Sequence, residues 1–200
     1  MGRRPFLEIV IEHLIAEGVP EAVLSVGYKR EVIQQHFGAC WRGLKLRYCV
    51  EEEPLGTGGA IRKAFDDTGY RRAFVLNGDT YCPAALNALQ TAHRDAKLTL
   101  TLKSVDDVAR FGSVELDVRG RVSAFREKSM ALGAGLINAG VYLMERDLLE
   151  LAPREPRFSF ETDVMQKHCS TVTMRGYVTD AVFIDIGIPS EFRRAQALFP

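Results

Sequence analysis

Ala73-Phe74-Val75-Leu76-Asn77-Gly78-Asp79-Thr80 is the stretch on which the fold turns. Its apolar run stops abruptly at Asn-Gly-Asp, which reads as a buried strand delivering an aspartate at its C-terminal end. In open α/β sheets that edge is where ligands bind. A carboxylate held there, beside a glycine that lets a ligand approach closely, suits a divalent cation on a phosphate. Upstream, Glu51-Glu52-Glu53-Pro54-Leu55-Gly56-Thr57-Gly58-Gly59-Ala60 sets a glycine loop ahead of a predicted helix. Its backbone N–H and C=O groups are open to an anion or a base edge. Downstream, Phe183-Ile184-Asp185-Ile186-Gly187-Ile188-Pro189 is a second hydrophobic run that ends at an aspartate. Plainer readings also fit: glycines for a tight connection at positive φ, Asp79 as a turn residue bonding its own backbone, and Asp185 as a helix cap.

Working outward, Phe6, Ile9, Val10, His13 and Leu14 recur at helical spacing, with Gly18 placed to end that helix. His13 on this face reads as a packed helix residue. Ala22–Val26 is predicted as a strand, Arg30–Phe37 as a helix, Leu44–Val50 as a strand, and a helix begins at Gly59 or Ala60. Beyond Asp79, a helix is predicted over Pro83–Asp95 and a strand over Leu98–Leu102. Residues 111–117 and 122–125 read as a hairpin, and Leu136–Met144 as a strand carrying Asn138-Ala139-Gly140. Asp147–Leu151 is a short helix, Ser159 caps a helix from Phe160 to Cys169, Val172–Val178 and Ala181–Ile184 are strands, and Ser190–Leu198 is a closing helix. Strand and helix alternate, which calls for an α/β fold with parallel strands and right-handed crossovers.

The 200 residues suffice for one domain with a sizeable core, and no composition shift divides them. Lys and Arg number 26 against 26 Asp and Glu, so no basic surface argues for nucleic acid or a membrane. The apolar runs are too short to span a bilayer, and no leader pattern opens the chain. Cys40, Cys49, Cys82 and Cys169 are scattered without a CxxC pair, which argues for a reduced, cytoplasmic setting and against a zinc site.

Taken together, the motifs resemble those of the sugar-phosphate nucleotidyltransferases, which make nucleoside-diphosphate sugars. Glu53-Pro54-Leu55-Gly56-Thr57-Gly58-Gly59-Ala60, Asn77-Gly78-Asp79, Glu127-Lys128, Asn138-Ala139-Gly140, Glu161-x-Asp163 and Asp185-Ile186-Gly187-Ile188-Pro189 follow the family's order. The resemblance implies a three-layer Rossmann-like fold with a mixed, mostly parallel sheet, spanning residues 1–200 as one nucleotidyltransferase domain. By the same resemblance Asp79 and Asp185 hold Mg2+ against phosphate, and Lys128 reaches the sugar phosphate. Glu53, Leu55, Gly56, Thr57, Gly58 and Gly78 border the nucleotide, while Asn138, Gly140 and Glu161 hydrogen-bond the sugar. The partners implied are a nucleoside triphosphate and a sugar 1-phosphate. Pro5-Phe6-Leu7-Glu8, Leu24-Ser25-Val26-Gly27-Tyr28 and Gly135-Leu136-Ile137-Asn138-Ala139-Gly140 are most similar to the branch using GTP and D-glycero-D-manno-heptose 1-phosphate, with mannose-1-phosphate enzymes as the alternative.

The family opens with a strand and a glycine-rich loop containing Gly-Thr-Arg, then a Pro-Lys pair, which together grip the triphosphate. Here Met1-Gly2-Arg3-Arg4-Pro5-Phe6 begins where that segment ends. The expectation is a sheet lacking its first strand, with Ala22–Val26 and Ala73–Leu76 not paired to each other. Turnover below the family's is also expected, and a non-catalytic module binding sugar phosphate stands as a second reading.

Overall fold

The computed structural model describes residues 4–126 and 133–199. In chain order the elements are α1 (Phe6–Ala16), β1 (Glu21–Val26), α2 (Arg30–Phe37), β2 (Cys40–Trp41), β3 (Leu44–Val50), α3 (Gly56–Thr68), β4 (Arg72–Leu76) and β5 (Thr80–Tyr81). There follow α4 (Leu86–His93), β6 (Leu98–Val105), β7 (Ser113–Leu116), β8 (Val122–Arg126) and β9 (Gly135–Glu145). A 3-10 turn (Arg146–Leu151), a π-helix (Phe160–Gln166), β10 (Met174–Thr179), β11 (Ile184–Asp185) and α5 (Pro189–Leu198) complete the chain. The chain divides into two compact units, one of residues 1–13, 72–145 and 169–200, the other of 14–71 and 146–168.

The first unit is built on the sheet β10-β6-β9-β4. Its centre is β6, where Leu98, Leu100 and Leu102 are fully buried on one face and Thr99 and Thr101 on the other. Of the two threonines, Thr99 is satisfied, its hydroxyl 2.8 Å from His93 Nδ1, whereas the buried Thr101 hydroxyl has no hydrogen-bond partner among the described residues. β10 runs parallel to β6, and β9 runs antiparallel to both β6 and β4. In the second unit β1 is parallel to β3 and β2 antiparallel to it. Among the described residues the two larger sheets therefore hold more antiparallel than parallel ladders. The fold is α/β and mixed, but the expected parallel excess is absent because the long strand β9 opposes both neighbours.

β1 pairs only with β3 and β4 only with β9 among the described residues, so the two do not pair with each other. The sequence reads Ala73–Leu76 as a buried strand, yet every one of its residues is only partly buried. Its place at the end of its sheet explains the difference: one edge and part of each face lack cover.

Several element boundaries differ from the sequence reading. α3 starts at Gly56, so the glycines form its first turn and do not precede it. α4 starts at Leu86; Pro83 lies before it, in a turn where the Ala84 N–H donates to the Cys82 carbonyl at 2.7 Å. The helix after Ser159 is π-type from Phe160 to Gln166, and Ser159 does cap it, accepting from the Thr162 N–H. The strand predicted over Ala181–Ile184 shrinks to the pair Ile184–Asp185, whose partner β5 is itself two residues long.

None of the four cysteines forms a disulfide among the described residues. Burial pushes the Cys49 and Cys82 thiols up to about 11, Cys49 with help from the Asp67 carboxylate, which accepts its hydrogen bond. Cys40 is exposed. Among the described residues no helix is long and apolar enough to cross a membrane.

Candidate active site

In the first unit Asp79 and Asp185 are brought to one ladder. β5 and β11 pair antiparallel, with Asp185 opposite Thr80, and the Ile186 N–H donates to the Asp79 carbonyl at 2.9 Å. The ladder is anchored below by Ile184, fully buried against Phe6, Ile9 and Val10 of α1 and Ala195 of α5. His13 packs as expected, its ring edge-on to Tyr81 and its Nε2 at 3.2 Å from the Ala84 carbonyl oxygen. Asp79 is exposed and Asp185 partly so. Asp185 does not cap α5, whose N-cap is Ile188; its Oδ1 accepts from the Gly187 N–H at 2.9 Å. The other oxygen, Oδ2, faces the Arg110 guanidinium at 3.6 Å.

The Asn77-Gly78-Asp79 turn is docked on an irregularity of β9. Between Leu100 and Leu102 the β6–β9 register slips, so that Ala139, Gly140 and Val141 oppose Thr101 alone. Gly140 sits at φ 73°. A Cβ there would lie 2.8 Å from the Asn77 amide nitrogen. Its carbonyl accepts from the Asn77 N–H at 2.8 Å, and its own N–H donates to Asn138 Oδ1 at 3.0 Å. Asn138 Nδ2 donates to the Tyr142 hydroxyl at 2.8 Å. Both ends of the Asn138 amide thus hold the bulge that seats the Asp79 turn. Gly78 is exposed beside it.

The second unit carries the glycine segment. Gly56 has positive φ, at 71°, but Gly58 and Gly59 do not. They are glycines for a different reason. A Cβ on Gly58 would lie 2.1 Å from the Phe158 ring, and one on Gly59 would lie 2.2 Å from the Pro156 carbonyl oxygen. The Gly58 N–H donates to the Phe158 carbonyl at 3.0 Å, and the Phe158 N–H to the Leu55 carbonyl at the same distance. Thr57 locks the arrangement: its hydroxyl donates to Glu161 Oε2 at 2.6 Å and accepts from the Phe160 N–H at 2.9 Å. The Ser159 hydroxyl reaches the same Glu161 oxygen at 3.1 Å. Gly58 is therefore buried with its N–H engaged, while Glu53, Gly56 and Thr57 stay exposed and Leu55 partly so.

Glu127 and Lys128 lie outside the described residues. Sequence reasoning passed over Arg110 and Lys103 near Asp185, and the Thr57–Glu161 bond. The signal for Arg110 is a cation set directly before an aromatic-glycine pair, Arg110-Phe111-Gly112.

The Nucleotidyl transferase family model matches residues 1–199. The chain belongs to the nucleotidyl transferase family. It is 40% identical over 98% of its length to a D-glycero-alpha-D-manno-heptose 1-phosphate guanylyltransferase of Aneurinibacillus thermoaerophilus, covering 85% of that protein. It is 35% identical over 96% of its length to a mannose-1-phosphate guanylyltransferase of Mycobacterium tuberculosis, covering 55% of that one. Among solved structures, HddC from Yersinia pseudotuberculosis superposes with a TM-score of 0.88 at 36% identity, over 98% of this chain and 86% of that one. HddC has also been solved complexed with GMP-PN. A nucleotidyl transferase thus has its strand-end aspartates on one short ladder and its glycine turn clamped under Phe158.

Proposed function

We propose that this protein transfers GMP from GTP to a sugar 1-phosphate, D-glycero-D-manno-heptose 1-phosphate, with release of pyrophosphate. The observation that carries this reading is the β5–β11 ladder, which brings Asp79 and Asp185 together in a chain whose similar relatives include heptose 1-phosphate guanylyltransferases. The residues 1–200 then work as one nucleotidyltransferase domain. The product is an activated sugar for surface-polysaccharide synthesis, made in the cytoplasm, where four cysteines outside any disulfide are stable.

Two carboxylates on one ladder fit Mg2+. This ion takes one or two protein carboxylates and completes its shell with water and phosphate oxygens. No set of three or more His, Cys, Asp or Glu forms a fuller cage among the described residues. Bound there, the ion neutralises phosphate charge.

A phosphate oxygen of the sugar 1-phosphate forms a bond to the α-phosphorus, while the bond from that phosphorus to the bridging oxygen breaks and pyrophosphate leaves. Such transfer needs positioning and charge stabilisation and little covalent work by the protein. Asp79 is held for this by the Gly140 bulge, and Asp185 by the Gly187 N–H. Lys128 supplies a point charge to the sugar phosphate. Glu53, Leu55, Gly56, Thr57, Gly58 and Gly78 border the nucleotide, Gly58 as the glycine that lets Phe158 cross. Asn138, Gly140 and Glu161 line the sugar, Asn138 and Gly140 by shaping the bulge.

The test is pyrophosphate release from GTP with the heptose and mannose 1-phosphates in turn, with and without Mg2+. Heptose 1-phosphate should be preferred, and Asp79→Asn and Asp185→Asn should each lower turnover by about a hundredfold or more. Unchanged turnover in both variants would remove the aspartates from the site, and preference for mannose 1-phosphate would move the protein to the other branch.

A further inference from the structure

A cavity of about 320 Å3 opens beside Asp185, lined by Lys103, Arg110, Phe111, Phe183 and Arg194 among others. We propose that it is a subsite for a phosphoryl group, with Arg110 and Lys103 as donors, and that Arg110 is shared between that group and Asp185. The inference rests on the reading in which Asp185 serves phosphoryl transfer.

The cations are not equivalent. Arg194 is already engaged, donating to Glu191 Oε2 at 2.9 Å and to the Phe183 carbonyl at 3.4 Å. Lys103, near the outgoing end of β6, donates to the Asp180 carbonyl at 2.9 Å and pairs with no carboxylate among the described residues. An ammonium carries three donors, so two remain.

Arg110 is the more telling residue. It sits in a turn closed by the Phe111 and Gly112 N–H groups, both donating to the Val108 carbonyl at 2.9 Å. Its guanidinium stacks on the Phe111 ring, 4.6 Å from the centroid. The nearest carboxylate oxygen, on Asp185, lies at 3.6 Å, beyond hydrogen-bond reach. None of its five N–H donors makes a hydrogen bond among the described residues. A planar fork held by stacking, with its donors uncommitted and a cavity in front, matches the oxygens of a phosphate. Below it Phe111 meets Phe183 edge to face at 5.6 Å, and both pack on Val108 and Ile137. That apolar floor strengthens the attraction between the cations and an anion above it.

Asp185 decides the class of anion. A lone anion beside this carboxylate is repelled, and a divalent cation on Asp185 removes the repulsion. Phosphates are the anions that arrive with such a cation. A cation held by Asp185 would compete with Arg110 for that carboxylate and leave the guanidinium to the phosphoryl oxygens.

Two phosphoryl sources fit this chemistry, the sugar 1-phosphate and the leaving pyrophosphate, so both are titrated by calorimetry with Mg2+ present, using mannose 1-phosphate and inorganic pyrophosphate. Arg110→Ala should weaken one of them by about ten- to a hundredfold, Arg110→Lys should restore part of the loss, and Lys103→Ala should cost less. The anion affected names the source. In the same Arg110→Ala protein without anion, Mn2+ affinity, read from the free-ion paramagnetic signal, should rise about two- to fivefold as a weak surface competitor is removed. A structural role for Arg110 does not produce these opposite signs. Unchanged affinity for both anions in Arg110→Ala, or a parent protein that binds neither, overturns the proposal. Asp185→Asn separates it from the reading beneath: loss of Mn2+ binding there, with Arg110→Ala unaffected, defeats the subsite alone, whereas Mn2+ binding that survives Asp185→Asn defeats the metal reading.

Discussion

His93 is a buried histidine that the proposed chemistry does not use, and its surroundings make the fold acid-sensitive. At 2% exposure its Nδ1 lies 2.8 Å from the Thr99 hydroxyl and its Nε2 3.3 Å from a Glu145 oxygen that Arg72 also bonds. Burial lowers its pKa and outweighs the upward pull of Glu145, with the Arg72 charge adding to the depression. The ring is therefore neutral in the fold. Because the unfolded chain binds the proton more readily, stability is complete above about pH 6.5 and falls as pH drops toward the folded value. Thermal melting between pH 8 and pH 5 should show Tm falling below pH 6.5, and His93→Gln should flatten that limb; an equal slope in the variant refutes the assignment. This histidine was not legible in the sequence, since nothing in Leu86–His93 announces that Thr99 and Glu145 will meet it. Asp79 and Asp185 were legible, because an apolar run stopping at an acid is a local pattern. Arg110 left only the cation-before-aromatic signal of Arg110-Phe111-Gly112, because its meaning comes from a carboxylate distant in the chain.

At the scale of elements, α3 shows what a glycine run can encode. The sequence suggested a loop with freedom at φ, and only Gly56 uses that freedom. Gly58 and Gly59 instead let residues 156–158 cross a helix at backbone contact, a constraint invisible without the crossing segment. Gly58→Ala should cost about 1–3 kcal/mol by overpacking against Phe158. In a double-mutant cycle with Phe158→Ala the two losses should be less than additive, since Phe158→Ala removes the ring that the new Cβ would meet. Simple additivity in urea melts would show that the contact does not limit this residue. The two-residue strand β5 was hidden, and β11 was placed only roughly, because a ladder this short leaves no periodicity to read.

At the scale of the whole molecule, β1 and β4 each end a ladder, and their outward amides lack a partner strand among the described residues. Hydrogen exchange should therefore be slow in β6 and β9 and markedly faster at alternate amides of β4. Uniform protection across β4 would mean that something covers its free edge. The α/β alternation and the order of elements were readable from turns and hydrophobic runs. The antiparallel course of β9 was not, since strand direction leaves no trace in side-chain alternation.

The uneven cysteine environments carry a practical consequence. Thiolate, not thiol, attacks a maleimide, so thiols held near 11 and buried react negligibly at neutral pH, while exposed Cys40 reacts freely. With Cys169 replaced by serine, one dye should go onto the second unit at Cys40 alone. A second introduced by Val118→Cys, at a fully exposed hairpin tip of the first unit, makes a pair for energy transfer. The naturally uneven reactivity thus supplies a ruler: single-molecule traces taken with and without GTP and Mg2+ would report whether the two units change their separation as substrate arrives.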